Sequence, residues 1–149
     1  MITVFVVRPD ARRLSYEFLQ LLRAKDDYMG GTWQIIRGGV HEGEMYAQAA
    51  LREMREESGL VPNEFYRLGT VESFYTDVDD TLWHSAPFCA IVDRNQVARV
   101  NEEHEVLRWT PRDRIDAETM WQSERDLLAG LMRDILDGGP SKPFLRIRL

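Results

Sequence analysis

Apolar residues along the chain fall in short runs broken by turn residues, with two longer stretches at helical spacing. Ile2–Val7 is a continuous β-branched and aromatic run ended by Arg8, Pro9 and Asp10, which predicts a strand. "TWQII" at Thr32–Ile36 predicts a second, short strand closed by Gly38 and Gly39, after a turn-rich loop "DDYMGG". Glu64–Tyr75 and Thr81–Val92 are β-rich and flank the acidic loop "TDVDD", which predicts an antiparallel pair. Val106–Thr110 is a further strand stopped by Pro111. Glu44–Ser58 is built from strong helix formers, with Gly59 at the C′ position and Pro62 beyond it. Ala47, Ala50, Leu51 and Met54 give that helix an apolar stripe. Glu118–Leu136 predicts a second long helix, carrying Leu127, Leu128, Leu131, Met132 and Ile135 on one side. Leu14–Arg23 stays open: its composition permits a helix and its length a strand. "DGGP" releases a tail, residues 141–149, whose "FLRIRL" alternates as an edge strand would, within the domain or across a dimer. Mixed strands and helices with a hairpin imply an α/β domain: a mixed sheet covered by helices on its faces.

At 149 residues the pattern fits one domain, 1–149, large enough to bury a core. The opening apolar run is too short for a signal segment or a membrane span. The one cysteine, Cys89, excludes an internal disulfide and a cysteine-based zinc site; it reads as a small buried hydrophobe, and a cytoplasmic location is the expectation. A net charge of −6 argues against a surface for nucleic-acid polymers. An acidic chain can still take a phosphate-rich small molecule when divalent cations lie between them.

That possibility sharpens at one segment. Residues Glu42 to Glu57 hold five glutamates, three of them crowded into "REMREE". At about 100° per residue, Glu53, Glu56 and Glu57 project within roughly 100° of arc beside the apolar stripe. Arg52 and Glu56 stand four apart and can pair. Clustered carboxylates at a half-buried seam repel unless a cation relieves them, and hard oxygen donors suit Mg²⁺ or Mn²⁺. On composition alone such a face is ordinary solvated surface. The spacing is what singles it out, because the segment fits G-x5-E-x7-R-E-U-x-E-E-x-G-U, where U is a bulky aliphatic. The matching residues are Gly38, Glu44, Arg52, Glu53, Met54, Glu56, Glu57, Gly59 and Leu60. At ordinary residue frequencies a chance match somewhere in this chain is on the order of one in ten million.

Gly38–Leu60 is identified by this pattern as the box of the Nudix hydrolases. The resemblance implies the Nudix fold, an α/β/α sandwich with a mixed sheet between helices, and resolves Leu14–Arg23 as a strand. It implies hydrolysis of a nucleoside diphosphate linked to another moiety, with Mg²⁺ as cofactor and Mn²⁺ as a substitute. By the same resemblance Glu53, Glu56 and Glu57 are the metal ligands and Arg52 their orienting partner. Gly38 and Gly39 are expected to turn the backbone beside the phosphates. Glu44 is expected near the helix start, where its charge suits the dipole, and more as a structural brace than in that role. Arg37 departs from members with a glycine there; its side chain meets either a phosphate or solvent. "NEEHEVLRW" resembles the dihydroneopterin triphosphate and dATP pyrophosphohydrolase branch in its Glu103-His104 pair and Trp109. Glu103 is the candidate fourth ligand or general base, with Glu102 and Glu105 as alternatives. Arg23 is a candidate phosphate contact, and Trp33 and Trp83 are candidates for stacking on a base. The expected substrate is a nucleotide or pterin polyphosphate, cleaved to a monophosphate and pyrophosphate. A dinucleoside polyphosphate is the second candidate, and a non-catalytic nucleotide-binding module is the alternative of another class. Neither a membrane nor a polymer partner is expected, and the chain reads as a monomer or homodimer.

Overall fold

The computed structural model describes residues 1–149. Strand β1 (Ile2–Pro9) is the spine. Its residues alternate between faces, as the pleat requires. Ile2, Val4 and Val6 pack with Ala49, Ala50 and Met54 of helix α1 (Tyr46–Ser58) on one side. Phe5 and Val7 pack on the other side with Leu127, Leu128 and Leu131 of α3 (Gln122–Leu131) and with Ile135. Each face supports its own core of 14 buried apolar residues, so the molecule is the expected α/β/α sandwich.

β1 runs antiparallel to β2 (Tyr16–Arg23) and parallel to β7 (Thr81–Ile91), which makes the sheet mixed. The main path is β3 (Trp33–Gln34), β2, β1, β7, β5 (Glu64–Arg67), β9 (Arg146–Ile147). Beside it, β4 (Ile36–Gly38) pairs with β1, β6 (Glu72–Thr76) with β7, and β8 (His104–Pro111) with β2. β6 and β7 form the expected hairpin around the acidic loop. Leu14–Arg23 is a strand from Tyr16 onward. The tail pairs within the domain, β9 against β5, after the short helix α4 (Lys142–Leu145). Cys89 is fully buried on β7.

The helix expected from Glu44 begins at Tyr46, the strand expected over Val106–Thr110 runs His104–Pro111, and three further elements are divided where the sequence reading had one. "TWQII" splits at Ile35, because β3 pairs with β2 whereas β4 pairs with β1, and one straight strand cannot serve both. Glu64–Tyr75 likewise splits in two: β5 pairs with one half of β7 and β6 with the other, leaving Leu68–Val71 as the corner. The late helix is interrupted. A short α2 (Ile115–Glu118) ends where Thr119 turns extended, and α3 starts only at Gln122. Thr119 Oγ1 donates back to the Ile115 carbonyl at 2.7 Å, while the carbonyls of Thr119 and Met120 accept from Arg125 Nη1 at 2.9 Å. Past Leu131 the helix continues as a π-turn through Leu136.

Two glycines bracket how local geometry sets stability. Gly59 ends α1 in the left-handed region, φ 69°, and its N–H bonds the Arg55 carbonyl. Gly130 lies inside α3 with open space where a Cβ would stand. Gly59→Ala should therefore cost about 1 kcal/mol. Gly130→Ala should add about 0.4–1 kcal/mol. Denaturant titration of both variants checks the opposite signs.

Candidate active site

The box segment is organised around Arg52. Its Nε and Nη2 hold the two carboxylate oxygens of Glu44 at 2.9 and 3.0 Å. Nη2 also donates to the Gly39 carbonyl at 3.0 Å, and Nη1 donates to Glu53 at 2.8 Å and Glu56 at 3.3 Å. Glu44 additionally accepts the His41 N–H at 3.0 Å. One guanidinium thus fastens the loop before α1 onto the helix that bears the carboxylates. The Arg52 hydrogen bonds, with the His41 amide second, hold the Glu44 carboxyl down to about 2. Glu44 lies ahead of the helix, which begins at Tyr46, and acts as the brace that Arg52 grips. Arg52 pairs chiefly with Glu44 and only at longer range with Glu56.

Glu53 and Glu57 stand against the sheet while Glu56 turns outward: their side chains are 15%, 7% and 56% exposed. Gly38 on β4 makes room for Glu53, since a Cβ there would lie 2.2 Å from Glu53 Cδ. Neither Gly38 nor Gly39 adopts a left-handed backbone, so the expected tight turn is not their role. Space is what requires Gly38, and Gly39 has open surroundings.

Glu57 is the electrostatic anomaly. Burial first, then the charges of Glu53 and Glu103, push its carboxyl up to about 8. The opposing influence is Arg23, whose own Nη1 is engaged by Glu103 at 2.8 Å and Nη2 by Asp27 at 3.0 Å. His104 Nε2 stands 3.8 Å from Glu57. Asn101 Oδ1 accepts the Glu103 N–H and sits 3.0 Å from His104 Nδ1, so Nδ1 carries the ring proton and the bare nitrogen faces Glu57. Burial lowers the pKa of His104, keeping the ring neutral, so it supplies no counter-charge. Among the three candidates of the acidic loop, Glu103 is the one whose charge reaches Glu57, whereas Glu105 accepts the Lys25 N–H at 3.1 Å.

No three His, Cys, Asp or Glu side chains converge in a ready-made metal cage. The reason is visible in the pairings: Glu53 and Glu56 lean on Arg52, and Glu103 on Arg23. The donor set still fits a hard divalent cation. Glu57 is a buried carboxylate crowded by like charges, and Glu53 occupies a notch that only a glycine leaves open.

Arg37 does not simply sit in solvent. Its Nη2 pairs with Glu72 at 2.7 Å and Glu124 at 2.9 Å, two carboxylates 3% and 5% exposed, and its guanidinium lies over Phe74. Ser123 Oγ and Thr3 Oγ1 donate to the same Glu72. This cluster ties the box strand to β6 and to the first turn of α3. Sequence reading missed it, although Glu124 stands in the apolar register of Leu127, Leu128 and Leu131, an odd place for an unpaired charge. Trp83 lies half-buried on the hairpin, its Nε1 donating to Thr76 at 3.0 Å, and Trp33 lies under Arg108. A cavity of about 560 Å³ bounded by Glu64, Lys142 and Arg146 sits at the β5–β9 edge and includes none of the box carboxylates.

Two outcomes follow for the cation-free protein and for cation binding. With a folded-state pKa near 8 against about 4.5 unfolded, Glu57 favours folding fully below pH 4.5, and that contribution is lost as pH rises to 8. The loss should be on the order of 2–4 kcal/mol, and Glu57→Gln should flatten it, as followed by urea titration in chelator. Gly38→Ala should displace Glu53 and weaken calorimetric Mn²⁺ binding by about tenfold or more. Gly39→Ala should leave it unchanged.

The comparisons with known proteins agree with this geometry. The model of the NUDIX domain matches residues 2–131. The chain is 39% identical over 61 residues to an RNA pyrophosphohydrolase of Hydrogenovibrio crunogenus, covering 39% of this chain and 37% of that protein. The aligned stretches span at most 37% of the length of the curated relatives. The fold is similar to the E. coli dihydroneopterin triphosphate pyrophosphohydrolase, with TM-score 0.69, 21% identity, and coverage of 92% of this chain and 94% of that one. It is also similar to a C. elegans Ap4A hydrolase binary complex, with TM-score 0.67, 19% identity, and coverage of 86% and 92%. A family model spanning most of the chain, on a sandwich whose box residues are clasped by Arg52, establishes that this chain belongs to the Nudix family.

Proposed function

We propose that the protein is a divalent-cation-dependent pyrophosphohydrolase acting on a small nucleotide-type substrate. A (d)NTP or dihydroneopterin triphosphate, cleaved to a monophosphate and pyrophosphate, is the reading we favour. The observation that carries it is the buried, like-charge-crowded Glu57, which makes sense as one ligand of a cation shared with Glu53 and Glu103. Mg²⁺ suits these hard oxygen donors, and Mn²⁺ can replace it. When bound, the cation supplies Lewis acidity and neutralises the diphosphate.

The chain's own residues do the rest. Arg52 holds Glu53 in place and keeps Glu44 and the preceding loop closed on α1. Arg23, 24% exposed at its side chain, brings positive charge to the mouth of the site, where exchange of Glu103 or Asp27 for a phosphate oxygen costs little. Glu103, 49% exposed and close enough for its charge to act on Glu57, has in this reading a second carboxylate oxygen, not needed by the cation, to accept a proton from an attacking water. Glu56, further out, adds negative charge toward solvent and completes the acidic face.

Similarity to the C. elegans Ap4A hydrolase supports a second reading, a dinucleoside polyphosphate substrate. Phosphate and pyrophosphate release from a panel of nucleotides, pterin triphosphate and dinucleoside polyphosphates separates the two. Glu57→Gln should lower turnover about 10³-fold on the preferred substrate while the fold is retained by circular dichroism. Near-normal turnover would reject the role given to Glu57. Tight nucleotide binding with no release by the wild type would favour a binding module.

A further inference from the structure

The sheet face opposite α1 carries a second built feature, away from the acidic helix. Trp33 pairs with Leu22, and Arg108 with Gln20, while the intervening Leu21 packs toward α1. Trp33 and Arg108 therefore share the far face of the sheet. There the Arg108 guanidinium lies 4.0 Å from the centre of the Trp33 ring. The two border an open surface cleft of about 250 Å³, lined also by Thr32, Ala117, Glu118, Thr119 and Met120. That volume is below the roughly 300–1,000 Å³ of sites for drug-sized ligands, and suits one flat ring system.

The arrangement is held in advance. Arg108 Nε donates to Gln20 Oε1 at 3.0 Å, and Nη2 donates to Glu118 at 2.9 Å. Gln20 is 1% exposed, and is itself fixed by the Thr110 hydroxyl at 2.7 Å and by donating to the Glu118 carbonyl at 3.3 Å. The guanidinium plane is thus fixed by a half-buried network, leaving Nη1 free to donate; the Glu118 carboxylate, one oxygen on Arg108 and the other on Arg114 Nη2, keeps lone pairs that can accept. Met120, 44% exposed, forms a pliable apolar lip. The interruption between α2 and α3 is what places Thr119 and Met120 there. A half-exposed indole, a flat cation and a thioether together offer stacking surface, and one donor beside one acceptor offers an edge to read. Gly38 is five residues beyond Trp33, so at most about 18 Å of extended chain separates the slot from the box.

We propose that this slot receives the planar nitrogen heterocycle of the substrate, a purine or pterin whose edge both donates and accepts. The proposal rests on the reading of the protein as a nucleotide pyrophosphohydrolase, and its test does not depend on hydrolysis. Binding of AMP, GMP and ribose 5-phosphate is followed in chelator by the ¹⁵N indole signals of the whole protein, with the Trp33 signal assigned through Trp33→Phe. The expected result is that the nucleoside monophosphates shift the Trp33 signal and ribose 5-phosphate does not. Trp33→Ala should weaken nucleotide binding at least tenfold, and Met120→Ala, at the exposed lip, at least threefold. On the hydrolysed substrate Trp33→Ala should raise KM and leave kcat within about twofold, the opposite of Glu57→Gln. Shifts confined to other tryptophans, equal shifts with ribose 5-phosphate, or unchanged affinity in Met120→Ala would overturn the slot and leave the proposed hydrolysis standing. Loss of hydrolysis with the Trp33 shift intact would overturn only the reaction.

Discussion

A carboxylate placed against a sheet and beside two others cannot spread its charge into water, and that constraint shapes the α1 edge of this molecule. Glu57 is 6% exposed, and its neighbours Glu53 and Glu103 share its sign. Arg52, on the same helix, is spent on Glu44, Glu53 and the Gly39 carbonyl. Arg23 is likewise divided between Glu103 and Asp27. The fold therefore keeps a deficit of positive charge at a fixed place. A deficit of that kind is tolerable when the cation that fills it comes with the substrate's own phosphates.

The rest of the architecture positions this deficit. β1 pairs on one side with the strand that leads into the box, and on the other with β7. Arg37, next to Gly38 and itself half-buried, pairs with the buried Glu72 of β6 and Glu124 of α3, so the box strand is tied to the opposite layer by charge as well as by apolar packing. Burial raises the pKa of Glu124 there, the charge of Glu72 adds to the rise, and Arg37 opposes it. Movement of α3 would reach Gly38, and through it the notch that holds Glu53.

Much of this was legible in the sequence. The unbroken run Ile2–Val7, the helix formers before Gly59 and the stretch Thr81–Val92 each gave the right element, because local pattern and tertiary role agreed. The box spacing gave the carboxylates and Arg52. What stayed hidden depended on partners distant in the chain. Arg37 lies 35 residues from Glu72 and 87 from Glu124, and no local pattern links them. The breaks at Ile35 and at Leu68–Val71 exist because single runs pair with two different strands, which only topology decides. Gly38 was recognisable as required, but for a turn; the side chain needing the space is 15 residues further on. Leu14–Arg23 was fixed by resemblance alone.

The most direct measurement is crystallographic. Crystals grown with Mn²⁺ and a non-hydrolysable nucleotide, with data collected at the manganese edge, locate the cation independently of activity. The account predicts an anomalous peak bounded by Glu53, Glu57 and Glu103, with Glu103 released from Arg23. Full nucleotide occupancy with no peak there, or manganese bound only elsewhere, would contradict it.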